Sequence, residues 1–243
     1  MKTLHESNIE RRTAAMLKCL RSCEFRRERL ARPFIIEITG LPDSGKSTVL
    51  KRIDVFLRRQ ENGGQECKIL IPQEGTKTVR NIPRTAIQHS VAASNYVLQI
   101  LLQQSYSTDY DLLFFDRGLY DAWCFIEWLR QKRKLGQEES NCFKSFFTSE
   151  GWLKNIDLCF FVMCDPKITI ARNKKDAFLT KKTGIRTNPK VVAELYYAFM
   201  TGYNRFKDQG APVALVDTTN LDVGQATRKV LIQILEEFER KFN

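Results

Sequence analysis

Five short apolar runs separated by helical stretches predict an α/β fold: a five-stranded parallel sheet flanked by helices. Three observations carry that expectation. The runs are continuous rather than alternating, as in strands covered on both faces. Turn residues bound them. The first run ends in a glycine-bearing loop that opens a helix, the strand–loop–helix unit of layered α/β domains. The chain has 243 residues, 43% hydrophobic and 28% charged, which excludes a mainly disordered chain and suits one large domain.

Taken in order, residues 1–33 precede the first strand and read as a basic helical extension, with Leu17, Leu20, Cys23 and Leu30 on an apolar stripe. The extension packs on the domain by default; pairing with another chain and contact with a polyanion are the alternatives. Residues 34–243 read as the main domain. Its strands are expected at 34–39 (FIIEIT), 67–72 (CKILIP), 111–116 (DLLFFD), 157–165 (DLCFFVMCD) and 212–217 (PVALVD). Helices are expected at 47–60, 84–104, 119–134, 166–172 and onward, 189–207 and 221–242. The longest apolar run, 158–164, is too short to span a bilayer, so no membrane partner is expected. The N-terminus lacks the apolar core of a secretory signal. Seven cysteines form no C-x-x-C pair. Together these read as a cytoplasmic chain with reduced thiols.

The net charge of +11 is patterned. Residues 1–33 hold nine Lys/Arg against four Glu, and residues 171–190 hold seven against one Asp. These two segments account for the whole excess. Two basic patches suit anionic partners, or are solvated surface.

Gly40-Leu41-Pro42-Asp43-Ser44-Gly45-Lys46-Ser47 fits G-x-x-x-x-G-K-[ST] between a strand and a helix. Such a loop brings backbone N–H groups onto phosphates, and the helix N-terminus adds its positive end. Residues Gly40, Asp43, Ser44, Gly45, Lys46, Ser47 and Thr48 are therefore the expected nucleotide cradle. Lys46 supplies a cation for the β- and γ-phosphates, and Ser47 a hydroxyl for Mg²⁺. Asp43 is repelled by phosphates, so it either points away or meets a hydroxyl of a second substrate.

Three more strand ends carry polar groups, where ligands of open α/β sheets bind. They are Gln73-Glu74-Gly75-Thr76, Asp116-Arg117-Gly118 and Asp217-Thr218. With ILIPQEGTKTVR, LLFFDRGLYDAW, LCFFVMCDPKITIARNKKD and VALVDTT in that order, the chain resembles the thymidylate kinase and deoxynucleoside kinase superfamily of P-loop phosphotransferases. The resemblance spans about residues 34–240. Where deoxynucleoside kinases favour Glu-Pro after the second strand, this chain has Glu74-Gly75.

That resemblance implies ATP as phosphoryl donor, Mg²⁺, and a nucleoside or nucleotide as acceptor. Glu74 is then the base for an acceptor hydroxyl, or orients a sugar hydroxyl if the acceptor is already a phosphate. Asp116 holds the Mg²⁺ shell, and Arg117 the acceptor or the moving phosphoryl group. Residues 171–190 are the arginine-bearing lid, with Arg172 and Arg186 the first choices to reach the phosphates. Arg80, Asn95 and Tyr120 are expected to contact the acceptor, Tyr120 by stacking on its base.

Other readings stay open. The same machinery would act on a nucleic-acid end or modified base, using the basic patches. A non-catalytic nucleotide-binding regulatory protein, or a pairing of two copies of the chain, also fits. Asn173–Asp176 spells N-K-x-D, the guanine-reading signature of GTPases, but a helical stretch separates it from the fourth strand, so a GTPase switch is not expected.

Overall fold

The computed structural model describes residues 4–60, 66–177 and 188–242. The five apolar runs form one sheet: β1 (Phe34–Gly40), β2 (Ile69–Leu70), β3 (Leu112–Asp116), β4 (Leu158–Met163) and β5 (Val213–Asp217). All neighbours pair in parallel, in the order β2-β3-β1-β4-β5. β1 is central, and the glycine loop leaves its C-terminal end between β3 and β4. Strand order reverses there, which opens a crevice for ligands.

Among the described residues the helices are α1 (Leu4–Arg21), α2 (Cys23–Glu28), α3 (Lys46–Arg58), α4 (Gly75–Thr78), α5 (Ile87–Gln104), α6 (Leu119–Gln131), α7 (Gln137–Phe147), α8 (Glu150–Leu153), α9 (Pro166–Ala177), α10 (Pro189–Asp208) and α11 (Val223–Phe242). The alternation of a strand sorts them into two layers. Phe34, Ile36 and Ile38 of β1 face one layer, with Leu17 of α1, Ile53 of α3 and Ile234 of α11. Ile35 faces the other, with Leu101 of α5, Ile126 of α6 and Phe199 of α10. Each such side chain contributes about 1.5–3 kcal/mol by leaving water.

The sequence expectations are corrected at three places. β2 is two residues long rather than six, because it is an edge strand that pairs only with β3, and the chain then turns away through Pro72. α5 starts at Ile87 rather than 84, since the Ala86 N–H donates to the Pro83 carbonyl in a turn (2.9 Å). Helices α7 and α8 are not singled out by apolar spacing; α7 buries only Ser140 and Phe147.

The N-terminal segment packs on the domain. Ile9, Met16, Leu17, Leu20 and Leu30 are buried in the layer that holds α11, and the Phe25 ring meets Phe238 and Phe242. Its arginines face carboxylates of the fold. Arg12 forks onto Glu239 at 2.8 and 2.7 Å. Arg21 and Arg26 reach Asp111, at 3.3 and 2.8 Å. Arg32 grips Asp157 at 2.6 and 3.0 Å, and Lys241 joins it. Arg21, Arg26 and Arg32 therefore close the N-terminal ends of β3 and β4, while Arg11, Lys18, Arg27 and Arg29 stay exposed.

Among the described residues no helix is long and apolar enough to cross a membrane, and no group of three or more His, Cys, Asp or Glu could hold a metal ion by itself.

Candidate functional site

The phosphate loop forms as its residues dictate. Gly40 and Gly45 have φ of +130° and +95°, values open to glycine. Lys46 opens α3, and its buried ammonium donates to the Leu41 carbonyl and lies 3.5 Å from Ser44 Oγ. Burial, helped by the nearby Arg117 cation, pulls the Lys46 pKa down to about 7. The loop thus holds a desolvated cation inside a ring of backbone groups, and an anion in the ring would stabilise the charge.

Across the loop, Ser47 Oγ donates to Asp116 Oδ2 at 2.6 Å. β1 and α3 supply the hydroxyl; the C-terminal end of β3 supplies the carboxylate. Two hard oxygen donors side by side at the mouth of the cradle suit Mg²⁺.

Arg117 follows directly and is buried. Its backbone is left-handed, φ +72°, a conformation that costs a non-glycine residue about 1–2 kcal/mol. The twist sends the guanidinium under the loop. Nε donates to Glu74 Oε1 at 2.9 Å; Nη1 donates to Asp121 Oδ1 at 2.8 Å and to the Gly40 carbonyl at 3.3 Å. Thr39 Oγ1 holds the same Asp121 oxygen at 2.6 Å. Nη2 has no hydrogen-bond partner among the described residues. Burial disfavours the Arg117 charge, but Asp121 and Glu74 outweigh it and raise its pKa.

Glu74 ends the turn after β2. Burial would raise its carboxyl, but Arg117, Thr76 and Lys77 hold it down to about 2, so it is ionised at neutral pH. The missing proline has a steric reason: a Cβ at Gly75 would lie 2.5 Å from the Ala93 carbonyl of α5.

Two cavities meet here. The larger runs from the loop and Asp116 past Arg172 and Thr218 to the start of α11. The smaller lies between α5 and α6 and includes Arg84, His89, Ser94, Asp121 and Phe125. Pro42, Glu74 and Arg117 belong to both walls. Lys46, Glu74, Asp116 and Arg117, remote in sequence, therefore surround one junction. Asp43, at φ +58°, lines the larger cavity.

Other expected site residues sit elsewhere. Tyr120 is 1% exposed and stacks edge-on against Phe206 (4.7 Å between centroids), so it is core rather than a platform for a base. Helix phase explains this: Asp121, Ala122 and Phe125 are the α6 side chains that reach the cavity. Asn95 is exposed and lines neither cavity, because α5 turns His89, Ser90, Ala93, Ser94 and Val97 inward. Arg80 is likewise exposed outside both, and Arg84 occupies the cavity rim instead. Arg172 reaches the larger cavity, where Nη2 donates to the Thr218 carbonyl at 2.9 Å. Thr218 Oγ1 in turn donates to the Ser44 carbonyl of the loop at 2.9 Å. Arg186, and most of the lid expected at 171–190, lie outside the described residues.

Sequence reasoning misses Asp121, Thr39 and Glu37. Asp121 was legible as an acid one helical turn after Arg117, and Glu37 as a lone charge inside an apolar strand. His89 is buried in the first turn of α5 and lines the smaller cavity. Burial, with Arg84 nearby, lowers its pKa and favours the neutral ring.

No protein-family model matches the chain, and no curated protein sequence matches it. Solved structures do match in shape. Deoxyadenosine kinase from M. mycoides with products dCMP and a flexible dCDP bound has a TM-score of 0.59 at 18% identity, over 83% of this chain and 99% of that one. The same enzyme with bound dCTP gives 0.56 at 19% identity, again over 83% and 99%. With bound dATP it gives 0.54 at 17%, over 83% and 98%. The five-stranded parallel sheet flanked by helices is the fold of these deoxyadenosine kinase structures.

Proposed function

We propose that this chain is an ATP-dependent kinase that transfers the γ-phosphoryl group to a nucleoside or nucleotide. The observation that carries the reading is the junction: a phosphate-loop cavity and a second cavity share Glu74 and Arg117 as a common wall. A donor in one and an acceptor in the other would bring their reacting atoms together there. Phosphoryl transfer needs little else, since it is mainly positioning and charge stabilisation.

The triphosphate sits in the loop, with Lys46 against its β- and γ-oxygens. Mg²⁺, held by Ser47 and through the Asp116 carboxylate, neutralises donor charge when bound. Arg117 keeps its guanidinium fixed through Glu74 and Asp121 and offers Nη2 to the moving phosphoryl group. The acceptor oxygen forms the new bond to phosphorus, the bond from phosphorus to the β–γ bridging oxygen breaks, and ADP leaves. With a hydroxyl acceptor, Glu74 receives the hydrogen bond and then the proton. Its low pKa makes it a weak base, so its larger contribution is orientation. Arg84, His89 and Phe125 would contact the remainder of the acceptor. Arg172 belongs to the part of the larger cavity beyond the phosphates.

Four of the nine N-terminal cations, Arg12, Arg21, Arg26 and Arg32, are engaged by carboxylates of the same chain and so are not offered to a nucleic-acid acceptor.

Incubation with γ-labelled ATP and Mg²⁺ over nucleosides, nucleoside monophosphates and 5′-hydroxyl oligonucleotides tests the proposal. Label on a nucleoside or monophosphate is the expected result. ATP binding without transfer to any acceptor would favour the regulatory reading, and label on oligonucleotides alone the nucleic-acid one.

A further inference from the structure

Glu37 is a charged residue where the strand calls for an apolar one. β1 reads FIIEITG, and its alternation puts Ile35, Glu37 and Thr39 on the face that meets α5, α6 and α10. Glu37 is 0% exposed and lines neither cavity. Its carboxyl instead meets the first turn of α6. The Asp121 N–H donates to Oε1 at 2.9 Å, and the Tyr120 N–H to Oε2 at 3.2 Å. The residue that begins this helix, Gly118, supplies no side-chain cap. The strand provides one from below.

The fit leaves no room for a side chain between them. A Cβ at Gly118 would collide with Glu37 Oε2 and lie 2.6 Å from its carboxyl carbon. Immediately before Gly118, the left-handed Arg117 donates its N–H to the Ile38 carbonyl at 3.0 Å. Two residues along from Glu37, Thr39 grips the Asp121 side chain. β1 therefore holds the backbone and the carboxylate of the same helical turn.

We propose that Glu37 is a positioning residue: by capping α6 from inside the sheet, it fixes Arg117 and Asp121 at the junction of the two cavities. It touches neither donor nor acceptor. Burial pushes its carboxyl up to about 8, with the Asp121 charge adding to the rise and the α6 N–H groups opposing it. The other titratable groups near it are Tyr120 and Cys124 of α6 and Cys159 of β4.

The kinetic arm of the test rests on the phosphotransfer reading; the exchange arm does not. Glu37→Met keeps the volume and removes both acceptors. Glu37→Gln keeps one. Residue-resolved amide exchange in Glu37→Met should lose protection at Tyr120 and Asp121, with β1 and α3 unchanged. Turnover should fall about 100-fold, the scale of a 1 Å misplacement, while KM for ATP stays within about threefold. Glu37→Gln should recover most of that turnover. Protected amides, or turnover within about twofold of wild type, in Glu37→Met would overturn the proposal.

Should the methionine chain fail to fold, Glu37→Gln decides. Its amide nitrogen cannot accept, so one of the two N–H groups, and only one, must exchange faster; both unchanged would overturn the proposal. A wild-type chain that phosphorylates nothing would sink the functional reading and leave the exchange result to judge Glu37.

Discussion

Both ends of the same parallel sheet carry arginine–carboxylate networks, and they are built for opposite purposes. At the N-terminal end, Asp157 Oδ2 accepts the Ile35 N–H at 2.8 Å, and Asp111 Oδ2 accepts the Lys68 N–H at 2.9 Å. Each aspartate also receives cations from outside the sheet: Arg32 and Lys241 on one, Arg21 and Arg26 on the other. The chain there borders neither of the two cavities at the junction. At the C-terminal end the same residue types are held differently. Arg117 has a left-handed backbone and, among the described residues, one nitrogen without a hydrogen-bond partner. Lys46 is buried beside it with a lowered pKa; two cavities open onto Arg117, and the larger also onto Lys46. Composition does not separate a latch from a site. Backbone strain and adjoining space do.

Substitutions should therefore divide by end. The largest effect belongs to Lys46→Ala, which removes the cation of the phosphate cradle. Labelled-phosphate transfer should drop by about 10³-fold or more, on the scale of a lost transition-state cation, with circular dichroism and melting nearly unchanged. Asp157→Ala should do the reverse. It leaves Arg32 and Lys241 without their carboxylate and costs about 3 kcal/mol of stability in urea titration. Turnover per folded molecule should hold; an equal loss of turnover would show that the latch is not merely structural.

A pH series sharpens the same contrast. Burial holds Lys46 near pKa 7, and bound phosphates must raise it. Binding ATP above pH 7 therefore takes up a proton, so affinity should weaken with rising pH by up to about tenfold per unit. Calorimetry at pH 8 in two buffers of different ionisation enthalpy reads that uptake directly, and a flat profile contradicts it. The smallest effect is expected from Arg12→Ala. Its fork with Glu239 is partly exposed, at 24% and 39%, so the loss should be about 0.5 kcal/mol and shrink in high salt.

Much of this architecture was legible because it is local. A continuous apolar run such as LCFFVM must be covered on both faces, and the phosphate loop carries its geometry in eight consecutive residues. Asp116 and Arg117 were legible as charges at the end of such a run. Residues whose role depends on helix phase were not. Tyr120 and Asn95 have plausible chemistry, but their positions on α6 and α5 turn them away from the cavity, while their chain neighbours Asp121 and Ser94 turn toward it. Arg12, Arg21, Arg26 and Arg32 read as part of a surface patch because their partners, Asp111, Asp157 and Glu239, are from 85 to 227 residues distant. Long-range pairing leaves no periodic signal in the chain.

The most direct test of the junction is Arg117→Ala, with ATP affinity and phosphoryl transfer measured on the same preparation. Because Arg117 is held at the shared wall rather than inside the phosphate loop, transfer should fall by about 10³-fold and ATP affinity by no more than about threefold. Turnover within a factor of about two of wild type would contradict the account.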